Sequence, residues 1–330
     1  MRKLFQQSIN ETKFMKICMV GEGAFANKHL DAIGHIEGIE VAAICGGVAE
    51  TTQAVARQRG IAFCTTDLSE VLKQSDISAV ILATPTGLHA AQAIQVMQAG
   101  KHVMIEIPMA DSLADSQELV RVQQETGVVA MVDHVRRFNP SHQWIHNKIK
   151  SGELRLQQLD VQTYFFRRKN INALGQPRSW TDHLLWHHAC HTVDLFQYQT
   201  GGLVADAFAL QGPAHHEMGI AMDMSIGLKA DTGAICTLSL SFNNDGPLGT
   251  YFRYICDNGT YIARYDELFD GKENPIDLSQ VAVSMDGVEL ADREFFAAIA
   301  EGREPNSSVH HCLEAMRTLD RLERSMASKS

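Results

Sequence analysis

The stretch Lys16-Ile17-Cys18-Met19-Val20-Gly21-Glu22-Gly23-Ala24-Phe25-Ala26 decides how this chain begins to fold. Residues 16–20 read as a short buried strand, and Gly21-x-Gly23-x-x-Ala26 opens at once into a helix carrying His29, Leu30 and Ile33. Each small residue has a physical task. Gly21 makes the tight turn, Gly23 lets the backbone approach a pyrophosphate, and Ala26 lets the helix pack on the strand, while the helix N-terminus attracts phosphate. A second strand, Ile39–Ile44, follows after about 20 residues, the spacing a βαβ unit requires. Gly21, Gly23, Ala24, Phe25 and Ala26 are therefore expected to hold a dinucleotide.

The alternation continues outward. Helices are expected at Thr51–Arg59, Leu68–Gln74, Ala90–Ala99 and Ala114–Thr126. Strands are expected at Ala62–Thr65, Ala79–Ala83, His102–Ile105 and Val128–Val132. Strands separated by helices imply a parallel sheet covered on both faces, an α/β Rossmann domain over residues 15–134. Residues 1–14 precede the first strand as an N-terminal extension. Past Arg136-Arg137-Phe138-Asn139-Pro140 the pattern changes. A helix at Trp144–Lys150 and strands at Gln158–Phe166, Ala205–Leu210, Ser225–Leu228, Ala234–Phe242, Tyr251–Cys256 and Thr260–Ala263 indicate an α+β domain, residues 135–330. Its sheet is expected to be open and mainly antiparallel, with hairpins at Asp231-Thr232-Gly233 and Asp257-Asn258-Gly259. The closing helices, Phe295–Ala300 and His310–Met326, are placed to return to the first domain.

Composition narrows the function. A formal charge of −10 over 330 residues argues against nucleic acid as a partner. The seven cysteines are scattered without a CxxC, as in a protein of the reducing cytoplasm. No apolar run approaches the roughly 20 residues of a membrane span.

The stretch Trp180–Asp194, WTDHLLWHHACHTVD, carries the chemistry. With Thr181 or Asp182 as the cap of one helix, His183, His187, His191 and Asp194 fall at offsets 0, 4, 8 and 11. At about 100° per residue they share a sector of roughly 80°, opposite Leu185, Trp186, Val193 and Phe196. Three imidazoles and a carboxylate on one stripe point to proton transfer near neutral pH, against the blander alternative of a polar seam. A zinc site from His187-x-x-x-His191 lacks a completing carboxylate or Cys, and no metal is expected.

These features together resemble the glucose–fructose oxidoreductase/inositol dehydrogenase family. The resemblance is carried by the dinucleotide loop, Thr84-Pro85-Thr86-x-x-His89, Gly100-Lys101-His102-Val103 leading to Glu106-Ile107-Pro108, His191-x-x-Asp194 and the late segment Phe296–Ser307. It covers residues 15–330. It implies that Cys45, Gly46, Gly47, Thr84, Pro85, Thr86, His89, Glu106, Ile107 and Pro108 also line a nicotinamide cofactor. Two departures stand out: Ile107 replaces a Lys that assists catalysis in the family, and His187 replaces a frequent Asp.

Asp160–Asn170, Pro177–His183 and Arg136–His142 resemble one branch of that family. Its members oxidise the cyclic hemiacetal of a dicarboxylated semialdehyde to a pyrone dicarboxylate, in protocatechuate 4,5-cleavage. Such a substrate needs cations for its carboxylates and a base for the lactol proton. Arg136, Arg137, Arg167, Arg168, Lys169 and Arg178 offer the cations, each with the alternative of a solvated surface charge. Arg136, Arg167, Arg168, Arg178, Trp180 and His183 are the expected substrate contacts. His191 is the expected base, oriented by Asp194, with His187 as rival base or second donor. At the end of the second strand an acid would favour NAD and an Arg NADP, and Cys45-Gly46-Gly47 offers neither. The branch resemblance implies NADP, with NAD as a second cofactor. Competing readings are a sugar, polyol or dihydrodiol dehydrogenase and a nicotinamide-sensing regulator without chemistry. An antiparallel sheet with one bare face implies a homodimer or homotetramer.

Overall fold

In the computed structural model the described residues are 14–171, 175, 177–178, 181–264 and 266–327. Trp180 and the first 13 residues of the N-terminal extension lie outside them. The first six strands are β1 (Met15–Val20), β2 (Ile39–Cys45), β3 (Phe63–Thr65), β4 (Ile77–Leu82), β5 (His102–Ile105) and β6 (Ala130–Val132). Between them run α1 (Ala24–Ile33), α2 (Ala49–Arg59), α3 (Leu68–Leu72), α4 (His89–Gln98) and α5 (Leu113–Thr126). The strands form one parallel sheet in the order β3-β2-β1-β4-β5-β6. Alternate residues of β1 supply two cores: Ile17 and Met19 join Leu30 and Ile33, while Cys18 and Val20 join Val80 and Leu82. The strand order reverses between β1 and β4, which leaves a crevice at their C-terminal ends.

The second part holds α6 (Pro140–Lys150), β7 (Leu156–Tyr164), a π-helical turn Leu184–Ala189 running into α7 (Cys190–Thr200), then β8 (Val204–Gln211) and β9 (Asp223–Ala230). β10 (Ile235–Ser241), β11 (Gly249–Cys256), β12 (Gly259–Arg264) and β13 (Glu267–Asp270) complete a sheet ordered β13-β12-β11-β7-β10-β9-β8. Among the described residues only the β7–β10 pair of this sheet is parallel; the other pairings are antiparallel. One face buries Leu159, Val161, Leu238, Leu240, Phe252 and Tyr254 with Val193 and Phe196 of α7. The other exposes Gln162, Thr237 and Arg253.

α8 (Gly287–Glu301) packs on α1, and α9 (Val309–Ala327) packs on α5 and β8. Phe295 and Phe296 thereby enter the core of Ile17 and Leu30. Ser307 ties the return, accepting from the Val132 N–H and donating through Oγ to the Val132 carbonyl. Among the described residues no helix is long and apolar enough to cross a membrane.

One strand was not expected and one expectation needs correction. The strand β13 has no apolar alternation to announce it and forms because β12 offers an edge. The helix through Trp180–Asp194 is not one α-helix capped by Thr181 or Asp182. His183 precedes a π turn and no side chain caps it. Asp182 is engaged instead by Arg167, Arg178 and His188, charged and polar partners that outbid backbone amides.

Candidate active site

The dinucleotide loop has the geometry its residues predict. Gly21 has φ 121°, and a Cβ there would lie 2.4 Å from the Ala83 carbonyl oxygen, so only glycine lets β1 and β4 approach this closely. The first turn of α1 carries no acid, leaving its amide ends to an anion. Ala26 is buried beneath the loop, while Phe25 remains 55% exposed beside Lys28.

The loop after β4 is braced to the loop after β5. His89 lies between them, its Nδ1 2.8 Å from the Pro108 carbonyl and its Nε2 2.8 Å from the Thr84 carbonyl. It is a strut and not a helix cap. Thr84 donates to Gln92. Glu106 turns away from the crevice: its Oε1 lies 3.2 Å from His29 Nε2, and its Oε2 accepts from the Ile107 N–H. His29 also bonds Asp292 at 2.8 Å. The side chain of Glu106 thus serves the α1–α8 junction, leaving its backbone for any cofactor contact.

The π turn and α7 lay the histidines over the ends of β4, β5 and β6. His187 Nδ1 accepts from the His183 N–H at 3.2 Å, and its Nε2 lies 3.0 Å from Thr86 Oγ1. With Nδ1 an acceptor, the ring carries its proton on Nε2. Thr86 in turn lies 3.4 Å from Asp111 Oδ2. Burial, then neighbouring His183, pushes the His187 pKa down to about 3. His187 is therefore a neutral donor, and it could accept at Nε2 only by giving up its backbone bond.

His191 looks elsewhere. Its ring stands edge-on to His134 with centroids 6.2 Å apart, and its Nδ1 is buried with no hydrogen-bond partner among the described residues. Burial, and after it the charge of Arg136, holds its pKa well below the ordinary imidazole value.

Asp194 does not orient His191. It accepts two bonds from Arg137, Nε to Oδ2 at 2.7 Å and Nη2 to Oδ1 at 2.6 Å, and Arg137 Nη1 reaches the Asn306 carbonyl at 2.6 Å. Burial alone would raise the Asp194 carboxyl, but Arg137 keeps it below its usual range. The pair joins α7 to the exit of the parallel sheet and to the loop before α9.

The expected carboxylate seats also divide. Arg167 and Arg178 both bind Asp182, whose carboxyl His188 and Arg167 hold well below its usual range against the effect of burial. Arg168 points the other way, over the Phe166 ring at 4.2 Å and toward Asn243. Arg136 lies over Phe252 at 5.6 Å and acts on His191. Crevice, histidines and Arg136 are thus gathered, whereas Arg167, Arg178, Asp194 and the Glu106 side chain are committed to other partners. Missed from the sequence were His134, Asp111 and the contacts of Arg137 and Glu22. An acid inside Gly-x-Gly and a doubled Arg were the only signals.

The comparisons with known proteins agree with this geometry. Residues 15–134 match the model of the oxidoreductase family with an NAD-binding Rossmann fold, and residues 140–282 match that of the bacterial oxidoreductase C-terminal domain. The chain belongs to this oxidoreductase family. Among its relatives is the 4-carboxy-2-hydroxymuconate-6-semialdehyde dehydrogenase of Sphingobium sp. (strain NBRC 103272 / SYK-6), 65% identical over 94% of this chain and 98% of that protein. The inositol 2-dehydrogenase of Salmonella typhimurium is 26% identical over 56% of this chain and 54% of that protein. The fold matches levoglucosan dehydrogenase in complex with NADH and levoglucosan, with TM-score 0.84, 20% identity and coverage of 96% and 98% of the two chains. An Agrobacterium radiobacter oxidoreductase in complex with NAD+, L-tartaric acid and magnesium gives TM-score 0.82 at 18% identity, over 96% and 97%.

Proposed function

We propose that this oxidoreductase oxidises the cyclic hemiacetal of 4-carboxy-2-hydroxymuconate-6-semialdehyde to 2-pyrone-4,6-dicarboxylate. The observation that carries this reading is 65% identity, over nearly the full length of both chains, to a dehydrogenase of that semialdehyde. The nicotinamide cofactor, NADP or NAD, takes the hydride when bound. The residues fit such a group: the Gly21–Ala26 loop and the amide ends of α1 suit its pyrophosphate. Cys45, Gly46 and Gly47 would face its adenosine half, and Thr84, Pro85, Thr86, Ile107 and Pro108 its nicotinamide half.

His191 accepts the lactol proton as the C–H bond breaks; burial and Arg136 keep its ring neutral, the form that can take a proton. His187 faces Thr86 with its one N–H and would orient a substrate oxygen by exchanging that contact for it, in a site where Ile107 can supply no proton. Arg136 seats one carboxylate.

The test is reduction of NADP and NAD with the semialdehyde, followed by absorbance. His191→Ala is expected to lower kcat by about 10²–10⁴-fold, the usual worth of a positioned base. A variant that keeps wild-type kcat would remove His191 from the role, and a wild type inert with both cofactors would sink the dehydrogenase assignment.

A further inference from the structure

Glu22, between the two glycines of the first loop, does not extend into water. Its carboxylate reaches the end of β2. There the Gly47 N–H lies 3.0 Å from both of its oxygens, and the Val48 N–H lies 3.0 Å from Oε1. Thr51 Oγ1 is 3.5 Å from the same oxygen. These donors stand at the start of α2, so the helix dipole adds to their attraction for negative charge. Gly46 makes the space. A Cβ on that residue would come 2.1 Å from Thr52 Oγ1 and 2.6 Å from Glu22 Oε2, so any larger residue would press on Thr52 and on the place the carboxylate takes.

Cys45-Gly46-Gly47 therefore does more than lack an Asp or an Arg. It forms a concave set of amides that binds an anion, and the anion now in it belongs to the chain itself. In a doubly wound sheet the end of the second strand is where the ribose of the adenosine half lies. The groups that would meet its 2′-substituent are the ones Glu22 occupies.

We propose that Gly46–Thr51 is a cradle for the ribose 2′-substituent, and that Glu22 decides which nicotinamide cofactor is preferred. A 2′-hydroxyl leaves Glu22 in place and donates to it. A 2′-phosphate takes over the amides of Gly47 and Val48, and Glu22 must swing into solvent, a move its half-exposed position permits. Glu22 thus supports the hydroxyl form and taxes the phosphate form, while the cradle beneath it suits the phosphate. This rests on the reading that the chain binds a nicotinamide dinucleotide.

Calorimetric titration of the full-length chain with ADP-ribose and 2′-phospho-ADP-ribose tests it, since both fragments lack the nicotinamide and no turnover intervenes. Glu22→Gln and Glu22→Ala are expected to tighten 2′-phospho-ADP-ribose about tenfold, roughly one decade in Kd, and to weaken ADP-ribose. An unchanged affinity ratio in both variants, or a shift toward ADP-ribose, overturns the role of Glu22 while leaving the dinucleotide site standing. Binding of neither fragment to the wild type overturns the dinucleotide reading together with it.

Discussion

At the scale of single residues, identity and partner have to be separated. Asp194 stands one turn from His191 in sequence, yet its oxygens belong to Arg137. Both members of the pair are buried, at 5% and 1% exposure, so neither charge has water to fall back on. Breaking such a pair costs about 3–5 kcal/mol, because the survivor is left charged in a dry interior. Arg137→Met is accordingly expected to lose about that much stability in urea unfolding, and Arg137→Met with Asp194→Leu to recover much of it. A single variant as stable as the double would mean that the pair carries no such penalty. Glu22 teaches the same lesson in reverse. Its acid is visible inside Gly-x-Gly, but the cradle it fills is assembled from a strand end more than twenty residues away.

At the scale of elements, the π turn decides how the histidines divide. A regular helix would keep His187 and His191 on one stripe. The extra residue in the turn sends His187 to Thr86 and leaves His191 against His134. Both rings are held neutral, which gives the element a pH signature. An imidazole whose folded pKa is depressed binds its proton more tightly in the unfolded chain. Its contribution to stability is therefore intact above the ordinary value of 6.5 and is lost as pH falls toward about 3, the His187 value. His29, Asp133 and Asp292 act in the opposite sense. Burial opposes the His29 charge, but Asp292 and its neighbours raise the pKa overall, while burial raises both carboxyls. Their contribution is full at low pH and fades as pH rises through the raised values. His187→Gln keeps a donor for Thr86 and an acceptor for the His183 N–H. Its Tm is expected to gain on the wild type progressively below pH 6.5. A Tm difference that stays flat between the ordinary value and about 3 would show that His187 does not carry the effect.

For the whole molecule, the second sheet covers one face with α6 and α7 and leaves the other bare. Phe208 and Leu210 of β8 and Ile235 of β10 are 55%, 62% and 40% exposed, apolar side chains on a strand surface that also carries Gln162, Lys229, Thr237 and Arg253. Pairing with a second copy of the chain would remove them from water. Sedimentation is expected to give a homodimer or homotetramer, and Phe208→Asp with Leu210→Asp to shift it toward the monomer. A wild type that sediments as a monomer at micromolar concentration would exclude this assembly.

Much was legible from local pattern. Gly21-x-Gly23-x-x-Ala26, the strand–helix alternation and the change of rhythm after Pro140 depend on neighbours in sequence: turn sterics, side-chain period and helix sterics. They determine the parallel sheet, the second sheet and the crevice between β1 and β4. Hydrogen bonds between distant segments are different, because which charge meets which depends on where the folded chain brings them. Only the tertiary structure could therefore give Asp194 to Arg137, Asp182 to Arg167 and Arg178, Glu106 to His29, and the end of β2 to Glu22.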